Sequence, residues 1–297
     1  MQPFNGGSMQ FQHLVVAADE TDAGRSAVRT GLDLAARADA RLTIMTVTPA
    51  ASHVRVPHGG GGHGDSAILE RLAHWLEHDL ASAPPGVQVE LGCAHGIPSV
   101  EICRFAENHR ADLLILGRKP RTAAVRMLVG DTADAVARRS QVASLYVQPS
   151  ARSLQRMLVA LDGTERGFVV FRAAAGLADA IGAGLQPVIV EPAAAGDAAP
   201  IPSSRTLALL GQLERLMTPS DREALARASG PGRSLEDMLM VRRGEPVAQL
   251  LEAAEVAGAD VVAIGNRRGG PPGPVEGGSV ARRLAHLAPG ALLAVPL

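Results

Sequence analysis

Three features of the 297-residue sequence predict two tandem α/β domains, each doubly wound around a mostly parallel five-stranded sheet. The first is an internal repeat. LVVAAD, ending at Asp19, recurs as LVALD, ending at Asp162, an offset of 143. The second is a later repeat in the same order. Ala111–Gly117 (ADLLILG) recurs as Ala259–Gly265 (ADVVAIG) at an offset of 148, shared by Gly96-Ile97-Pro98 with Gly244-Glu245-Pro246 and by Gly130 with Gly278. The third is the alternation of short β-branched runs with longer Ala- and Leu-rich amphipathic segments. Two repeats in one order, five residues apart in register, mark a duplication with one small insertion.

The elements follow from this pattern. In the first copy, strands are expected near 12–18, 41–47, 87–91, 112–116 and 142–147, with helices near 22–38, 66–81, 98–109 and 128–139. The second copy repeats the plan, with strands near 156–161, 186–190, 236–241, 260–264 and 291–295 and helices near 165–182, 204–228, 246–257 and 277–287. Runs such as LLIL and VVAI suit strands covered on both faces, as a parallel sheet requires. Domain boundaries fall at 10–149 and 154–297, joined by the short linker Pro149–Ser153, so the two domains are expected to pack together. Two long loops each follow the second strand of a domain: the glycine-rich His53–Asp65, and Glu191–Ser204, read as an exposed excursion.

Composition narrows the function. A net charge of −1 supplies no global field for nucleic acid or an anionic membrane. One Trp, one Tyr and five Phe leave little aromatic surface for stacking single strands. Cys93 and Cys103, both in the first half, form no disulfide framework and fit a reducing cytosol. They read as a strand-end residue and a buried helix residue. No basic and apolar leader opens the chain, whose start is read at Met1 or Met9, and no stretch is apolar for long enough to span a bilayer. A cytoplasmic location is expected.

In an open parallel sheet, ligands bind beyond the carboxyl ends of the strands, where strand order reverses. The informative residues follow strands one and four of each copy. Asp19 and Asp162 end the first strands. Gly117-Arg118-Lys119-Pro120 and Gly265-Asn266-Arg267-Arg268 follow the fourth, and each loop closes 13 residues after its first glycine, at Gly130-Asp131-Thr132 or Gly278-Ser279-Val280. A glycine opening a helix lets an anion approach free backbone N–H groups. Arg118, Lys119, Arg121, Arg267 and Arg268 add charge. Each feature has an ordinary alternative: a strand-ending Asp is often an N-cap, a Gly after a strand a turn, and a loop Arg merely solvated. Their joint recurrence at both reversals raises nucleotide binding above these.

These residues resemble the universal stress protein family, and the resemblance covers nearly the whole chain as a tandem member. It implies a Rossmann-like fold of the adenine nucleotide alpha hydrolase type. The family carries a strand-one Asp and a loop of the form G-x-x-G, nine residues, then G-[ST]; members with the full loop bind ATP. The resemblance implies that Asp162 and Val190 hold the adenosine end, with Gly265, Arg267, Gly278, Ser279 and Val280 around the phosphates of ATP or AMP, with or without Mg²⁺. The first-copy counterparts are Asp19, Val47, Gly117, Lys119, Gly130 and Thr132. Neither loop matches fully. Pro120 replaces the middle glycine of the first and removes a backbone donor, while Asp131 replaces Ser/Thr and repels phosphate. Arg268 replaces the middle glycine of the second, next to Gly269 and Gly270. The second copy is therefore the better site.

The expected role is a sensor or regulator and not a metabolic enzyme, with no catalytic residue and no metal site assigned. The alternative is a nucleotide-free scaffold acting through protein partners. The last strands, ASLYV and ALLAV, resemble the family's pairing strands and would join the halves as an internal pseudo-dimer, compatible with a further homodimer. No P-loop and no dinucleotide-binding glycine fingerprint occurs. His74-Trp75-Leu76-Glu77-His78 matches the H-x-x-E-H pattern of one zinc peptidase class. The pattern is common by chance, and the matching helix of the other half, read around Gln212–Met217, lacks it. Together with His53, His58 and His63 it allows adventitious metal binding.

Overall fold

The computed structural model describes residues 10–48, 63–118, 132–149, 154–162, 164–193, 202–230, 233–266, 280–288 and 290–297. The chain forms two compact units, one comprising Gln12–Pro149, the other containing residues 150–297.

In the first unit, strands β1 (His13–Ala17), β2 (Arg41–Thr48), β3 (Val89–His95), β4 (Leu113–Gly117) and β5 (Ala143–Val147) alternate with helices α1 (Asp22–Ala38), α2 (His63–Ala81), α3 (Pro98–Asn108) and α4 (Thr132–Arg139). The strand order is β3-β2-β1-β4-β5, every neighbouring pair parallel. The chain winds outward from β1 to β3 and then crosses back to β4, so order reverses between β1 and β4. The second unit contains β6 (Arg156–Leu161), β7 (Gly184–Glu191), β8 (Met240–Arg243), β9 (Val261–Asn266) and β10 (Ala291–Pro296). Its helices are α5 (Glu165–Ala180), α6 (Ser204–Leu216), α7 (Pro219–Ser229), α8 (Leu235–Met238), α9 (Pro246–Ala257) and α10 (Val280–Leu287). Its order, β8-β7-β6-β9-β10, is again parallel throughout and reverses between β6 and β9.

The repeated sequence blocks have physical duties. Leu113–Leu116 and Val261–Ile264 are buried, as strands covered on both faces must be. The Asp that opens each block ties two strands together at their amino ends. Asp112 Oδ2 accepts the backbone N–H groups of Gln12 (2.9 Å) and His13 (2.8 Å), and Asp260 accepts those of Gln155 and Arg156 at 3.0 Å each. In the repeated G-x-P, Gly96 and Gly244 take φ of 143° and 132°, a region that favours glycine, and Pro98 and Pro246 open α3 and α9, where no N–H is required.

The duplication extends to a buried ion pair. Arg25 and Arg29 of α1 grip Asp79 of α2 at 2.8 and 2.7 Å, and Asp79 is only 2% exposed. One repeat later, Arg172 of α5 meets Asp221 of α7 at 3.0 Å. By this pair α7 is the counterpart of α2, which corrects the match of α2 to Gln212–Met217.

Three further expectations are revised. The helix expected at 204–228 is two helices, because Thr218 caps a new one in a reciprocal box with Asp221, and Pro219 sits at its first position. The strand expected at 236–241 is β8 at Met240–Arg243, preceded by the short α8, which Ser234 and Asp237 cap in the same way. The first long loop ends sooner than expected, since His63–Asp65 already belong to α2. No helix among the described residues is long and apolar enough to cross a membrane.

Asp221 both caps α7 and neutralises Arg172, whose side chain is 10% exposed. Asp221→Ala removes both the helix cap and the carboxylate that faces a buried guanidinium, and is expected to destabilise the second unit by about 3 kcal/mol, against about 1 kcal/mol for Thr218→Ala. Urea unfolding of both variants checks the order; equal losses would contradict it.

Candidate functional site

Each reversal places the end of one strand beside the end of another, with a helix N-terminus between them. In the first unit β1 ends at Ala17 and Asp19 stands exposed two residues on. Its Oδ1 accepts the Thr21 hydroxyl at 2.5 Å. Thr21 is the N-cap of α1, and its oxygen accepts the Gly24 N–H at 3.2 Å. The carboxylate, the cap and the first helical turn are thus one hydrogen-bonded unit. A side chain at Gly24 would lie 2.5 Å from Asp19 Oδ1 and 2.2 Å from the Asp19 carbonyl oxygen, so only glycine fits. Gly117, ending β4, is pressed against the same turn: a Cβ there would lie 2.2 Å from the Ala23 carbonyl oxygen and 2.8 Å from Gly24 N. The structure thereby brings Asp19 and Gly117 together across Gly24.

The second unit repeats this more loosely. Asp162 is exposed, and its Oδ1 accepts both the backbone N–H of Thr164 (3.1 Å) and its hydroxyl (2.7 Å). Gly167 stands one repeat after Gly24, with its Cβ position 3.1 Å from Asp162 Oδ1. Gly265 meets side chains instead of backbone: Leu297 Cδ1 at 2.5 Å and Val170 Cγ2 at 3.1 Å. The sequence reading missed Gly24 and Gly167, although each lies five residues after its Asp and the pair recurs at the offset of 143.

Val47 and Val190 lie half-buried near the carboxyl ends of β2 and β7. Thr132 and Val280 open α4 and α10. Lys119 and Gly130 in the first loop, and Arg267, Gly278 and Ser279 in the second, lie outside the described residues. Arg118, next after Gly117, is 6% exposed; burial lowers its pKa to about 10, and the charge of Asp134 on α4 opposes that fall. Its counterpart in the repeat is the neutral Asn266.

The second-unit corner at the ends of β7 and β8 is closed by a carboxylate. Glu191, read as part of an exposed excursion, is 9% exposed. It accepts the Thr206 hydroxyl (2.5 Å) and the Ser203 N–H (3.0 Å) at the start of α6. Arg243 approaches it at 3.4 Å. These donors hold its pKa at about 2, with the Thr206 bond the largest cause. In the first unit the same corner holds Thr48, His95, Cys93 and Asp65, a group of unlike chemistry that the sequence reading did not assemble. His74 and His78 of the H-x-x-E-H pattern are exposed on α2, and His74 only meets Glu77 at 3.5 Å. Cys93 lies within β3, and Cys103 is buried on α3, where desolvation raises its thiol to about 11.

Known proteins share this architecture. The family model described as the universal stress protein family matches residues 10–148 and again 153–296. A universal stress protein of Methanocaldococcus jannaschii is 24% identical over 144 residues, which is 48% of this chain and 85% of that protein. The crystal structure of a universal stress protein from Archaeoglobus fulgidus aligns with a TM-score of 0.68 at 16% identity, over 97% of this chain and 99% of that one. A functionally unknown protein from Pseudomonas aeruginosa aligns at 0.57 and 17% identity, over 97% and 94% of the two chains.

Two outcomes follow from the packing. Gly117→Ala drives a methyl into backbone and is expected to destabilise its unit by more than Gly265→Ala does, because Leu297 and Val170 can rotate away; thermal unfolding of the two variants ranks them, and a larger loss at Gly265 would contradict this. The depressed pKa of Glu191 stabilises the fold fully above the ordinary carboxylate value, and that contribution is lost as pH falls toward about 2. Glu191→Gln should therefore lower the unfolding temperature at pH 7 and flatten its fall between about pH 4.5 and 2. A fall as steep as in the native protein would show that Glu191 carries no such linkage.

Proposed function

Because this chain belongs to the universal stress protein family, we propose that it is a cytoplasmic stress-response protein that binds an adenine nucleotide, ATP or AMP, chiefly in its second unit, and acts as a sensor or regulator without catalytic turnover. One observation carries the reading. An exposed carboxylate, Asp162, stands at the reversal between β6 and β9, held by Thr164, and the same arrangement recurs at Asp19. A carboxylate so fixed suits a ribose hydroxyl or an exocyclic amine, both donors. This acceptor therefore fits the donor groups at the adenosine end of a nucleotide.

In this reading Asp162 and Val190 take the adenosine, and Gly265, Arg267, Gly278, Ser279 and Val280 surround the phosphates. Bound Mg²⁺ would offset phosphate charge. The first unit is the weaker binder because of its loop. Pro120 and Asp131 remove a donor and add repulsion in its loop. A second reading, a nucleotide-free scaffold for protein partners, is favoured by Arg268 standing where the family has glycine.

Thermal unfolding with ATP–Mg²⁺, AMP and GTP, on the native protein and on Asp162→Ala and Ser279→Asp, separates the two. At about a hundred times Kd, ATP is expected to add roughly 2.7 kcal/mol, a rise of several degrees that both variants lose and GTP does not match. No rise with any nucleotide would overturn the proposal and leave the scaffold.

A further inference from the structure

We propose that the first unit carries a divalent transition-metal site, suited to zinc, formed by Asp65, Cys93 and His95. Cys93 and His95 are two apart on β3, so their side chains leave the same face of the sheet. Asp65, in the first turn of α2, reaches this face from another element, and its Oδ1 lies 2.6 Å from His95 Nε2. One ligand atom from each of the three residues lies within 4.8 Å of the others. A thiolate, an imidazole and a carboxylate are a donor set that suits zinc, with solvent completing a tetrahedron. Asp65 is exposed and His95 half-buried, which leaves the ion a path of entry.

The imidazole is also oriented from behind. Thr48 Oγ1 lies 2.7 Å from His95 Nδ1. A metal takes Nε2 and moves the ring proton to Nδ1, and a hydroxyl either donates to Nδ1 or accepts from it, so the tautomer changes without rearranging the shell. The Cys93 thiol proton passes to solvent water as the Sγ–metal bond forms. Asp65 and His95, now hydrogen-bonded, need to part by only about 1 Å to admit an ion with bonds near 2 Å.

The second unit shows that the fold does not require these residues. The counterparts of Cys93 and His95 at the offset of 148 are Val241 and Arg243. There the corner is closed by Glu191 with Ser203, Thr206 and Arg243, and no thiol or imidazole takes part. The duplicated frame thus carries a metal-ligating set in one copy and a purely structural one in the other. This inference is independent of nucleotide binding, because it concerns the other unit and different residues.

Cobalt reports the thiolate directly. Chelator-treated, reduced full-length protein is titrated with Co²⁺, and bound Co²⁺ is then displaced by Zn²⁺. One equivalent of Co²⁺ should produce a near-ultraviolet thiolate-to-cobalt band that Zn²⁺ abolishes. Cys93→Ser should remove the band and weaken Zn²⁺ binding by more than a hundredfold. Thr48→Val should weaken it roughly ten- to a hundredfold, with Thr48→Ser restoring it. Cys103→Ser and a His53→Asn/His58→Asn double variant should leave band and affinity unchanged. A band that survives Cys93→Ser, its absence in the native protein, or Zn²⁺ affinity lost in the histidine double variant but kept in Cys93→Ser would overturn the site.

Discussion

The first turn of the helix that follows each unit's opening strand must rest directly on the aspartate that ends that strand. In the first unit that contact leaves no room for a side chain at Gly24. The consequences spread outward. The Asp19 carboxylate is fixed by Thr21, Thr21 caps α1, and the end of β4 is drawn against the same turn at Gly117. Asp162, Thr164 and Gly167 repeat the arrangement with more space. At the reversal, the exposed carboxylate and the helix N-terminus take their positions from this one constraint.

Around it, the two units keep what the frame needs and vary what it does not. The amino-end clasps of Asp112 and Asp260 and the turns at Gly96 and Gly244 recur at the offset of 148, and a buried pair joins α1 to α2 at Asp79 and α5 to α7 at Asp221. The corners beyond the second strands diverge, one built on Glu191, the other on His95, Cys93 and Asp65. The loops after the fourth strands and these corners are where the chemistry of the two copies differs.

Periodicity made the strands and the duplication legible, because a buried parallel strand must be an unbroken apolar run and a repeat must repeat it. Helix boundaries were less so. Leu207 through Leu225 reads as one amphipathic stretch, and the break lies in the cap chemistry of Thr218-Pro219-Ser220-Asp221, a signal carried by four of its nineteen residues. Asp19 and Asp162 are legible because they follow strands; Gly24 and Gly167 are not, because a glycine in a helix has no periodic signature. The Asp65–His95 contact joins residues 30 apart through a strand and a helix, and no copy of it exists in the second half to draw attention. Buried pairs such as Arg172–Asp221 are legible only after the helices that bring them together are placed.

Hydrogen exchange of the whole chain, with and without ATP–Mg²⁺, locates nucleotide binding by unit. The account predicts new protection at the β6–α5 junction around Asp162 and Gly167 and at the end of β9 around Gly265, with the β1–α1 junction around Asp19 little changed. Protection confined to the Asp19 and Gly117 segments, or absent from both units, would contradict it.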